Sequence, residues 1–161
     1  MQQPAQALRR RLRYQAQDSA QTLAEALDEY YAANLDRVTR PADLPADSAA
    51  LFRSHDICHV IFGLDTSLAD ETLADARTLF SCDVGMRRYA RYLREDEQAK
   101  ALFRQMGWAR GVAITIACLP RILRAAVEAV RMRKPWPWTP PDDCAGRPLS
   151  ELRRDYGIRV I

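Results

Sequence analysis

Apolar residues recur along this chain at steps of three and four, the spacing that puts them on one face of a helix. Between residues 5 and 35, Leu8, Leu12, Ala16, Ala20, Leu23, Leu27 and Tyr30 keep that rhythm and predict one long helix. Pro41 and Pro45 interrupt it, so "TRPADLPADS" reads as a connector. Asp47 or Ser48 can cap the next helix, which runs to Phe62 and stops at Gly63. Ser67 with Asp70 three residues on resembles a capping box and opens a helix toward Phe80. A further helix is expected over residues 85–98. Residues 100–133 are strongly helical, with Ile116, Leu119, Leu123, Val127 and Val130 on one stripe and Pro120 expected to kink it. The run "VAITIACLP" falls short of the roughly 20 apolar residues a membrane span needs. Arg110 and Arg121 bracket it, so it predicts a buried helix with the stripe in the core. "KPWPWTPPDD" reads as an extended proline-rich loop, and "PLSELRRDYGI" as a short closing helix from Ser150.

The expected fold is all-α, a single compact multi-helix domain over residues 1–161. With 48% hydrophobic residues the chain can build a real core, and only 6 glycines interrupt it. A formal charge of +3 is too small to argue for a nucleic-acid partner, and no nucleic-acid motif accompanies it, so none is expected. The cysteines, Cys58, Cys82, Cys118 and Cys144, form no C-x-x-C pair. The start of the chain has arginines rather than the apolar run of a secretory signal, and reads as part of the mature protein. Reduced thiols and a cytoplasmic setting follow as expectations.

Both histidines lie in "HDICHVIFGLDTSLADE". On a helix, His55 and His59 are one turn apart on one face, with Asp56 flanking it. That spacing lets a helix offer two imidazole nitrogens to one metal ion. From His59 the chain climbs about one turn to Gly63, crosses a short loop and descends about one turn from Ser67, each turn being about 5.4 Å. In an antiparallel helical hairpin this returns Glu71 to the level of His59. The predicted metal set is therefore His55, Asp56, His59 and Glu71, on a helical hairpin. Two neutral imidazoles with one or two carboxylates suit a divalent ion such as zinc, and a set without cysteine leaves positions for water or substrate. Asp56 flanks the histidine face as a candidate ligand. Asp70 reads as a cap, Cys58 as a buried thiol or a soft ligand, and Phe52 and Phe62 as packing around the site.

These residues resemble the signature of the ubiquinone (coenzyme Q) biosynthesis protein 4 family. Its H-D-x-x-H, eleven residues, then E is met by His55, Asp56, His59 and Glu71. Its H-V-x-x-G-x-x-T-x-x-x-x-E pattern is met by His59, Gly63, Thr66 and Glu71, and its C-terminal P-L-x-E-x-R-x-x-x-G-I by "RPLSELRRDYGI". The chain departs from the family pattern at Cys58, where relatives commonly carry a large aromatic.

The resemblance implies an all-helical protein, peripheral to a membrane, that binds a divalent metal usually taken as zinc and serves in making ubiquinone. The implied activity removes the ring carboxyl carbon of a polyprenylated 4-hydroxybenzoate-derived precursor and oxidises that position. For that chemistry Asp56 is either a ligand or a proton acceptor, the candidate catalytic residue. The alternative is a non-catalytic lipid-binding scaffold that organises the other biosynthetic enzymes, with a structural metal. A metal-dependent hydrolase is a third reading, weakened because the chain has no third histidine. Expected partners are a prenylated quinone precursor or another isoprenoid lipid, the inner face of the cytoplasmic membrane, and other ubiquinone biosynthesis enzymes; a homodimer is also open. Two basic clusters could meet anionic head groups: Arg9, Arg10, Arg11 and Arg13, and then Arg121, Arg124, Arg131, Arg133 and Lys134 beside Trp136 and Trp138. The competing reading is a solvated helix end with the tryptophans packing a loop. The stripe from Ile116 to Val130 is core or, alternatively, the lining of a prenyl tunnel.

Overall fold

The computed structural model describes residues 11–43, 46–85, 87–89 and 108–161, with only the backbone given for 46–48 and 108–110. Its elements are helical: α1 (Leu23–Ala33), α2 (Ala46–Phe62), α3 (Leu68–Ser81), α4 (Trp108–Arg131) and α5 (Leu149–Tyr156), with single 3-10 turns at Arg13–Gln15, Pro41–Asp43 and Asp142–Gly146. The fold is all-α, and the described residues contain no strand, only two isolated bridges.

The long first helix does not form as expected. Within the described part, a 3-10 turn gives way to extended chain, and α1 starts only at Leu23. The signal was present in the sequence: Thr22 and Glu25 make a reciprocal capping box, each side chain bonding the other's backbone N–H. The segment before it has another use. The carbonyls of Gln21 and Ser19 accept the N–H groups of Leu149 and Ser150, which have no partner inside α5. That supply lets α5 begin at Leu149, one residue before the expected Ser150.

α2 begins at Ala46, just ahead of the expected caps, and ends as predicted. Gly63 takes φ +72, Leu64 N–H donates to His59 O, and Gly63 N–H to Val60 O. This is a Schellman ending, which needs a left-handed residue and so favours glycine. Gly157 closes α5 in the same way. Ser67 caps α3 by accepting the N–H of Asp70. Asp70 itself reaches out of the cap, accepting from Asp65 N–H and from Arg121. The helix expected over 85–98 lies mostly outside the described residues; residues 87–89 are helical.

α3 crosses α2 instead of lying along it. Glu71 in its first turn meets His59, Arg77 in its middle stacks on the Phe62 ring, and Cys82 at its end meets Cys58. Eleven residues of α3, about 16 Å of helix, thus touch only the last two turns of α2, from His55 to Phe62. Tyr30 and Tyr31 of α1 and Leu149 and Leu152 of α5 join the same buried cluster as the α2–α3 contact.

Arg153 ties these parts together. It is fully buried and has carbonyls for partners: Ile61 O (2.9 Å), Val60 O (2.9 Å), Tyr14 O (2.7 Å) and Ala16 O. Two of these carbonyls are in the last turn of α2, where the dipole is negative; Val60 O also accepts from the Gly63 N–H.

α4 corrects the sequence reading. It continues through Pro120, but Ile116, Leu119, Leu123, Val127 and Val130 are exposed, Val130 at 87%. The face that packs on α3 is a different one, marked by Cys118 and Ala125. The helix is therefore apolar on two sides, and periodicity alone does not say which side is inward. Trp136 and Trp138 are buried, so they pack the loop and are not interfacial anchors. Among the described residues, no helix is long and apolar enough to cross a membrane.

Candidate metal centre

His55 and His59 project from the last two turns of α2, with ring centroids 4.7 Å apart. Glu71 reaches them from the first turn of α3, its Oε2 lying 3.3 Å from His59 Nε2 and 4.0 Å from His55 Nε2. One donor atom from each of the three falls within 4.8 Å of the others. Two ligands of a tetrahedral ion at about 2.1 Å are about 3.4 Å apart, so His59 and Glu71 already match and His55 needs only a small closing movement.

The surroundings fix which nitrogen faces the centre. His59 Nδ1 lies 3.1 Å from Asp65 O, which requires the proton on Nδ1 and leaves the Nε2 lone pair pointing at Glu71. Tyr30 stacks on the His59 ring at 5.6 Å. His59 Nε2 is buried and, though close to Glu71, is not aligned for a hydrogen bond with it. A lone pair facing a carboxylate oxygen in a buried place is repulsive unless a cation stands between them or the ring takes a second proton. The donor set thus fits a divalent ion: two imidazole nitrogens and one carboxylate.

The protonation tendencies of the group, taken without a metal, follow from the same contacts. Burial, reinforced by the neighbouring His59, pushes His55 down to about 4. For His59 burial opposes the cation, but Glu71 overcomes it and lifts the ring to about 9. Burial likewise works to raise Glu71, and His59 holds it below its ordinary value.

Asp56 stands apart from the trio. Its Oδ2 accepts the Tyr31 hydroxyl at 2.9 Å, and burial raises the acid to about 7. The structure therefore brings His55, His59 and Glu71 together and gives Asp56 a supporting partner instead. Cys58 is a buried thiol whose neighbour is Cys82, and Phe62 packs in the core beneath Arg77.

Several contributors were not visible as site residues in the sequence. Tyr30 was only one beat of an apolar stripe, and Tyr31 lay off it. Asp65 acts through its backbone carbonyl, which no side-chain pattern encodes. Thr66, which the signature pattern did mark, holds the bend by donating to Asn34 Oδ1 at 2.7 Å; Asn34 is the partner the sequence did not reveal. One turn beyond Glu71, Asp75 accepts the Tyr89 hydroxyl in a buried pair, and burial raises its acid to about 6.

No family model matches this chain, and neither does any curated protein or any solved structure.

Proposed function

We propose that this chain is a divalent-metal protein of the ubiquinone biosynthesis protein 4 type, acting on a polyprenylated 4-hydroxybenzoate-derived precursor to remove its ring carboxyl and oxidise that carbon. The observation that carries this reading is the convergence of His55, His59 and Glu71 from the two sides of the glycine bend. It is supported by what the other motif residues do. Gly63 makes the left-handed turn, Thr66 pins the loop, Arg153 clamps the end of α2, and Gly157 ends α5. Residues that resemble a signature in sequence also cooperate around one bend in space.

Zinc is the proposed ion; as a Lewis acid it would hold a carboxylate or phenolate oxygen and favour charge developing on the ring. Asp56, held by Tyr31 and titrating near neutrality, is the proposed proton acceptor. Zinc has no redox chemistry, so dioxygen is the proposed oxidant. The exposed stripe of α4 with Arg121, Arg124 and Arg131 beside it is the proposed face toward an anionic bilayer, where a prenylated substrate resides.

The second reading is a lipid-binding scaffold with a structural metal. The complete burial of His59, under a stacked tyrosine, favours it. Genetic complementation separates the two. In a cell lacking its own ubiquinone biosynthesis protein 4, the wild-type chain restores quinone. Under the enzymatic reading, Asp56→Asn keeps the metal and the fold but abolishes rescue. Under the scaffold reading, Asp56→Asn rescues fully. Purified protein without stoichiometric metal would refute both.

A further inference from the structure

Beside the trio lies a pair of thiols that the proposed chemistry does not use. Cys58 is in the penultimate turn of α2 and Cys82 is the C-cap residue of α3, and their sulfurs are 3.7 Å apart. Both are free thiols. Cys58 has no solvent exposure, while Cys82, at a helix end, has 9%. The backbone holds Cys82 in place from both sides: Trp136 N–H donates to Ser81 O, and Asp83 N–H donates to Trp136 O. Cys58 is equally constrained inside a continuous helix. The two sulfurs therefore face each other across the α2–α3 crossing with little freedom to separate.

We propose that Cys58 and Cys82 form a redox modification site, a reversible disulfide that fastens α2 to α3. A disulfide bond is about 2.05 Å long, so the sulfurs must approach by about 1.7 Å, within the swing of a single side-chain rotation. The oxidant is a small disulfide of the glutathione class. Cys82 exchanges first: its sulfur bonds to one glutathione sulfur, and the other glutathione leaves as a thiol, taking the proton Cys82 gave up. The Cys58 sulfur then attacks the Cys82 sulfur and displaces the second glutathione, which takes the proton from Cys58. Two protein thiols lose two electrons and two protons, and one oxidised glutathione becomes two reduced molecules. Burial slows the first exchange, because little of Cys82 meets solvent. Proximity favours the bridge once it begins, because the resolving thiol is already in place.

The bridge would close a loop between residues 24 apart that contains the glycine bend and Glu71. It restrains the unfolded chain and the opening of the crossing without occupying any metal ligand. The proposal stands independently of the metal's identity or role.

The test uses the full chain in glutathione buffers of stepped oxidised-to-reduced ratio. Remaining thiols are alkylated in denaturant and the cysteines are mapped by peptide mass spectrometry. The expected product is a Cys58–Cys82 linked peptide, two hydrogens lighter than its reduced parts, with Cys118 and Cys144 still alkylated. It disappears when reductant is restored. The oxidised protein melts at a higher temperature than the reduced protein, and Cys82→Ser removes the difference. Full alkylation of Cys58 and Cys82 at the most oxidising ratio overturns the proposal. So does pairing with Cys118 or Cys144, or a bridged form that melts lower. The wild-type map alone decides the point if the serine variant fails to fold.

Discussion

Removing Arg153 tests how the bend is held. Its guanidinium donates to four carbonyls from two separate parts of the chain, and burial lowers its pKa only to about 10, so it stays charged at neutral pH. Arg153→Met keeps much of the stem's volume and deletes every donor. Each charge-assisted bond contributes about 1.5–3 kcal/mol, but four bonds from one group do not add, and the arginine's own desolvation cost is relieved when it goes. What remains is the cost of leaving Tyr14 O and Ile61 O without a donor, about 1–3 kcal/mol each where no water can enter, since Val60 O keeps the Gly63 N–H and Ala16 O keeps the Ser19 N–H. Val60 O and Ile61 O also sit at the negative end of the α2 dipole. A net loss of about 4 kcal/mol follows, comparable to breaking a buried ion pair. For a domain of this size that lowers the melting midpoint by about 8–16 °C. Arg153→Lys retains the charge and at most three donors from one point, and should lose about half as much. Calorimetric melting of the three proteins in the same buffer measures the series. If Arg153→Met melts within 2–3 °C of the wild type, or Arg153→Lys falls below Arg153→Met, the clamp does not hold the end of α2 as argued.

The other expectations concern the bend and its acids. Glu71→Gln should weaken zinc binding by more than the roughly 10–100-fold typical of outer-shell partners, read by isothermal titration, while the far-ultraviolet circular dichroism stays unchanged. Asp75 has its acid raised by burial from 3.8 to about 6, so the folded state prefers it protonated. Its contribution is complete below pH 4 and fades as pH rises through 6. Asp75→Asn, which can still accept from Tyr89, should match the wild type near pH 4 and exceed it by about 3 kcal/mol above pH 7, measured by urea titration. Gly63→Ala places a methyl carbon 2.7 Å from a methyl of Val160 at a φ of +72, and should lower stability by about 2–3 kcal/mol in the same titration. Adding Val160→Ala should recover the packing part and leave the backbone part.

Much of the centre was legible because its ingredients are local. A histidine pair one turn apart, a glycine stop and a serine cap each declare themselves within a few residues, and together they returned Glu71 to the right level. What local pattern did not encode was direction across the fold. Crossing and lengthwise packing of α2 and α3 both bring Glu71 to His59, and the Arg77–Phe62 and Cys58–Cys82 contacts separate them. Asp56 sits beside His55 in sequence, yet one residue is 100° around a helix, enough to give it to Tyr31 on α1. The apolar stripe of α4 reads as inward from the sequence because apolar residues usually are. That helix has two apolar sides, and the smaller residues on the second side, Cys118 and Ala125, are the ones that let it approach α3 closely. The first helix was overextended because Thr22 and Glu25 look like ordinary helix interior unless their capping reciprocity is recognised.

The three candidate ligands are graded in their access to water: Glu71 at 31%, His55 at 13% and His59 at 0% side-chain exposure. Were a divalent ion held here, Glu71 would be the donor that water and a chelator meet first and His59 the one most sheltered from both, so a substitution at Glu71 should speed ion exchange more than it disturbs the packing around the inner ring.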